Sequence, residues 1–124
     1  MAEVFEIADG FVDTVASHHP LSATHIGVPG FDHLMPDFSS GAIEAFHTDV
    51  RAALSEMQKA RPMNERERIC KDTFIDETSL TIEKYDSREY LREMNVLFSP
   101  IQNVRSIFDL MPRDSIEDWE NIAS

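Results

Sequence analysis

The chain has 124 residues, with 23 Asp+Glu against 11 Lys+Arg for a formal charge of −12, and is 42% hydrophobic and 27% charged. That length suits one domain, and the ordinary apolar content excludes wholesale disorder. The acidity opposes nucleic acid or an anionic membrane as partner, no apolar run approaches the roughly 20 residues of a membrane span, and a single cysteine excludes an internal disulfide.

Pro and Gly punctuate the chain, and the stretches between them read as helices. Residues 2–18 place Val4, Phe5, Ile7, Ala8, Phe11, Val12, Val15 and Ala16 on one broad apolar stripe, despite Gly10. His19 precedes Pro20, so the first helix stops there. Pro20 suits the first turn of a short second helix, and Gly27 its C-terminal cap. Residues 28–38 hold two Pro and one Gly, which predicts a loop. Ser39 or Ser40 caps a third helix whose stripe is Ile43, Phe46, Val50, Ala53, Leu54 and Met57, ended by Arg61-Pro62.

Asn64 with Glu67 reads as a capping box. It opens a fourth helix predicted from Glu65 to Met94, where neither Gly nor Pro intervenes. Its stripe (Ile69, Cys70, Phe74, Ile75, Ile82, Tyr85) is interleaved with threonines, which suggests packing on one side only. Ser99-Pro100 starts a fifth helix carrying Ile101, Val104, Ile107, Phe108 and Met111, ended by Pro112. Asp114 with Glu117, or Ser115 with Asp118, opens a last helix with Ile116, Trp119, Ile122 and Ala123. Its stripe breaks off at Ser124, which predicts a fragment of something longer. Val96-Leu97-Phe98 is too short to predict a strand.

Residues 1–62 hold 9 acids and 3 bases, and residues 63–124 hold 14 and 8, so each half carries −6. No domain border shows. The expected fold is all-α: an irregular bundle of five or six helices around a long antiparallel pair, residues 40–60 and 65–94. The expected buried set is Phe5, Val12, Ile43, Phe46, Val50, Leu54, Phe74, Ile82, Ile107 and Phe108.

Candidates for chemistry are few. His18, His19 and His25 lie close in sequence, but Pro20 breaks the helix between them, so they lack the spacing that aims imidazoles at one metal. They read as helix-end residues that cap carbonyls or pack beneath the loop. Glu44 and His47 have the i, i+3 spacing of di-iron bundles, but such sites need a second copy and further carboxylates, and a solvated face is the plainer reading. Cys70 sits on an apolar stripe as a buried structural thiol. Asp32, His33 and Asp37 share a loop and form an acid–base cluster only if the fold converges them; loop aspartates otherwise make turns and caps. Phe108 and Trp119 read as core residues. No catalytic, cofactor-binding or metal residue is therefore assigned.

Two stretches carry a resemblance. Pro20, Ala23, Gly27, Phe31-Asp32 and Leu34-Met35-Pro36-Asp37 resemble the opening of the bacterial family catalogued as domain of unknown function 885. Ser99-Pro100, the Ile107-Phe108-Asp109-Leu110-Met111-Pro112 segment and Glu117-Asp118-Trp119 resemble its next helical section. The resemblance implies the N-terminal region of longer helical proteins that look like zinc-dependent peptidases, whose metal motif lies downstream of the matched region. On that basis the chain is expected to be a non-catalytic helical segment with no cofactor of its own, zinc belonging to the longer parent. Its expected partner is the rest of that polypeptide, or another copy through apolar helix faces, in the cytoplasm. The alternative is a stand-alone acidic interaction or dimerisation module.

Overall fold

A computed structural model describes residues 3–92, 97 and 99–124. It contains α1 (Glu3–His18), α2 (Pro20–Ile26), α3 (Ser40–Lys59), α4 (Glu65–Asp86), a 3₁₀ turn (Glu89–Arg92), α5 (Pro100–Leu110) and α6 (Ile116–Ala123). Among the described residues there is no strand. The fold is all-α, as the punctuation by Pro and Gly predicts.

Local chemistry explains the boundaries. Pro20 leaves His19 non-helical between α1 and α2. Gly27 takes φ +81° and closes α2, a conformation that an L side chain resists. The Ser39 hydroxyl accepts the Ala42 N–H at the start of α3. At α4 the Asn64 side chain accepts the Glu67 N–H at 2.9 Å. The Glu67 carboxylate reaches one residue further back than a capping box requires, accepting the Met63 N–H at 2.7 Å. Ser115 and Asp118 form the reciprocal box of α6, which decides between the two starts open in the sequence.

The fourth helix is shorter than predicted. It ends at Asp86, and Arg88 adopts φ +61°. That left-handed residue, followed by the 3₁₀ turn, redirects the chain without Gly or Pro. Residues 93–96, and with them the predicted end at Met94, lie outside the described residues, as do Val96 and Phe98 of the short apolar run.

α3 and α4 are antiparallel. His47 stacks on Tyr85 at one end, and the Lys71 ammonium donates to the Ala60 carbonyl at 2.8 Å at the other. α1 lies against both. Val4 packs beside Met57 and Ala60 at one end of α3, and His18 reaches Asp49 toward the other. Phe11 meets Phe74 of α4 edge-on, 5.1 Å between ring centres. The innermost cluster is Val4, Met57 and Ala60, with Ile7, Ala8, Cys70, Phe74 and Ile75 packed around it. α2 bridges α1 and α5.

The buried set is smaller than expected. Val50 and Ile107 are buried, whereas Phe5, Ile43, Phe46, Leu54, Phe74, Ile82 and Phe108 are half-buried. Val12 is exposed at 42%, because α1 turns a narrower face to α3 and α4 than its broad stripe allows. Trp119, read as core, is 55% exposed. Of the α6 stripe, Ile116 and Trp119 are left exposed while Ile122 is half-buried.

Gly10 stands mid-helix, and a Cβ built there meets no atom within 4 Å. Gly10→Ala is therefore expected to stabilise the chain by about 0.5–1 kcal/mol, through helix propensity alone. Chemical denaturation checks this; a loss of stability would show a contact at that position.

Candidate functional site

Where α1 hands over to α2, the chain places two imidazoles against α3. His18 Nε2 lies 2.7 Å from the Asp49 carboxylate. His19 stands edge-on to Phe46 at 4.4 Å, and His18 is 5.4 Å from the same ring. Phe46 in turn meets His47 at 5.2 Å. His47 stacks on Tyr85 at 3.9 Å, and Tyr85 continues to Tyr90 at 5.4 Å. The Arg51 guanidinium sits 6.0 Å from the Tyr85 ring centre and pairs with Asp86 at 2.5 Å. The result is a row of rings crossing three helices: His18 and His19, then Phe46, then His47, then the two phenols.

The His47 Nδ1 lies 2.7 Å from the Ile43 carbonyl. A carbonyl only accepts, so Nδ1 carries the proton. Burial, followed by the nearby His18 and His47, holds the His19 pKa below the ordinary histidine value. This arrangement brings three imidazoles to one phenyl ring, but it converges on no metal. Among the described residues no three His, Cys, Asp or Glu side chains are placed to hold an ion.

The sign of the His19 shift gives a pH prediction. The unfolded chain takes the His19 proton more readily than the folded one. The stability owed to neutral His19 is complete above about pH 6.5 and is lost as pH falls toward its lower folded pKa. Asp37 and Asp118, both lowered by hydrogen bonds from Ser39 and Ser115, act separately: their contribution is lost as pH falls below the ordinary aspartate range. The midpoint of thermal unfolding is expected to fall between about pH 7.5 and about pH 5.5, and to fall less in His19→Phe. Equal slopes for the two proteins would contradict this.

The predicted site residues part company. His25 leaves the other histidines because α2 turns at Pro20; it is exposed and lines a hollow with Leu21 and Asn103. His47 takes its place beside His18 and His19, a grouping that spacing along the chain does not reveal. Glu44 is exposed on α3. Asp32 accepts the Thr24 hydroxyl at 2.8 Å, pinning the loop to α2. Asp37 accepts the Ser39 N–H at 2.8 Å and so belongs to the α3 start. Asp32 and His33, but not Asp37, line a cavity of about 560 Å³ with Phe108 and Met111. Cys70 is half-buried against the core cluster.

Apolar surface remains on α5 and α6. Phe38, Pro100, Ile101 and Val104 line a shallow hollow of about 330 Å³. Ile101 is 67% exposed and Ile116 is 80% exposed.

A family model described as "Bacterial protein of unknown function (DUF885)" matches residues 20–124. No curated protein matches the chain.

Proposed function

Because the chain belongs to this bacterial family of unknown function, we propose that it serves as a non-catalytic helical layer in the N-terminal region of a longer, zinc-peptidase-like protein. Its work is to wall or support a cleft completed by other polypeptide. The observation that carries this reading is the uncovered apolar surface of α5 and α6, formed by Ile101, Ile116 and Trp119. Surface of that kind is normally covered by a partner or by further chain.

The polar side chains of the candidate site serve local contacts. His18 is engaged by Asp49, His47 by Ile43 and Tyr85, and Asp32 by Thr24. Among the described residues no three His, Cys, Asp or Glu side chains are placed to hold an ion, and no hydrolytic step is assigned to these. No helix among the described residues is long and apolar enough to cross a membrane. The lone cysteine and the net charge of −12 suit the cytoplasm and a partner other than nucleic acid.

The test is the coding sequence beyond Ser124, followed by assay of its product. A His-Glu zinc motif downstream, with zinc-dependent peptide hydrolysis by the longer product, is expected. A stop codon directly after Ser124 would overturn the reading in favour of a stand-alone acidic interaction module.

A further inference from the structure

A groove of about 720 Å³ runs between α1 and α3, and no residue of α4 lines it. Its floor is Ile7, Gly10 and Phe11 from α1 with Ala52 and Ala53 from α3. Gly10 and the two alanines leave the floor low, and the space above Gly10 is open. Its rim is acidic: Glu3 and Glu6 on one side, Asp49 and Glu56 on the other, against Lys59 alone. Asp49 is engaged by His18, while Glu3, Glu6 and Glu56 form no ion pair among the described residues.

The lining positions recur every three or four residues on both helices, so the groove follows one stripe of each. Residues 3–14 of α1 span roughly 16 Å, the length of about three helical turns. An apolar trough flanked by unpaired carboxylates is complementary to a helix with an apolar stripe and basic flanks. A second copy of this chain, at −12, lacks that charge. A nucleic-acid backbone is repelled by the same rim.

We propose that the α1–α3 groove is a docking site for a basic amphipathic helix of a partner polypeptide. The inference rests on the groove alone and stands whether or not the scaffold reading holds.

The probe is a designed Leu/Lys peptide of about 15 residues with its leucines on one helical stripe. Its control is the same composition scrambled to destroy the stripe. Binding is read by fluorescence anisotropy at about 0.15 M ionic strength, where long-range attraction is screened. The striped peptide is expected to bind at least about tenfold more tightly than the scrambled one. Gly10→Leu fills the groove without altering charge and favours the helix, so it is expected to weaken binding about tenfold with helicity retained by circular dichroism. The double variant Glu6→Gln with Glu56→Gln leaves the floor intact and is expected to weaken binding and reduce its salt dependence. Equal binding of striped and scrambled peptides, or full binding by both folded variants, would overturn the proposal.

Discussion

Replacing Met57 with Ala is expected to destabilise the chain by about 3 kcal/mol, the largest effect of any single truncation considered. Met57 has no exposed surface and packs with Val4 of α1 and Ala60, against Cys70 and Phe74 of α4. It is the place where three helices meet. Truncation removes the Cγ methylene, the sulfur and the terminal methyl and leaves a cavity that α1, held by Val4 and Phe11, can only partly close. Urea denaturation measures the loss. A cost below about 1 kcal/mol would show that stability resides elsewhere than in the α1–α3–α4 cluster.

Phe46→Ala is expected to cost about 2 kcal/mol, less than full burial of a phenyl ring would imply because Phe46 is half-buried. The ring separates His18 and His19 from His47, so its removal also opens His19 to water. Burial is the main cause of the lowered His19 pKa. The variant should therefore lose stability at pH 7.5 and show a weaker further loss on acidification. His19→Phe should weaken the same pH dependence while keeping an aromatic edge against Phe46. Loss of stability in Phe46→Ala with an unchanged pH slope would separate the ring from the histidine and contradict the link.

Much of the helical plan was legible in the sequence because it is written in local chemistry. Ser39, Asn64 and Ser115 accept N–H groups at their helix starts, and Pro20 and Gly27 bound the short second helix. The end of α4 was not legible, because the break depends on Arg88 adopting a conformation that residue type does not advertise. The exposure of Val12 has a related reason. A stripe shows which residues are apolar, while the positions of α3 and α4 decide how much of it is covered.

The candidate site divides along the same line. Asp37 beside a helix start is a sequence-level turn signal, and the structure uses it so. The gathering of His18, His19 and His47 is not, because it depends on the register of α1 against α3. Gly10 was the one local sign of the α1–α3 groove: a glycine inside an apolar helix stripe, where alanine would favour the helix. Trp119 illustrates the opposite case, since an aromatic on a helical stripe reads as core until the structure shows what faces it.

The most direct test of the scaffold account is sedimentation velocity on the 124-residue chain across a wide concentration range at neutral pH. Uncovered faces on α5 and α6 predict open-ended self-association, reduced in a variant carrying Ile101→Asp and Trp119→Ser. A single folded monomer or a defined dimer at every concentration would contradict it.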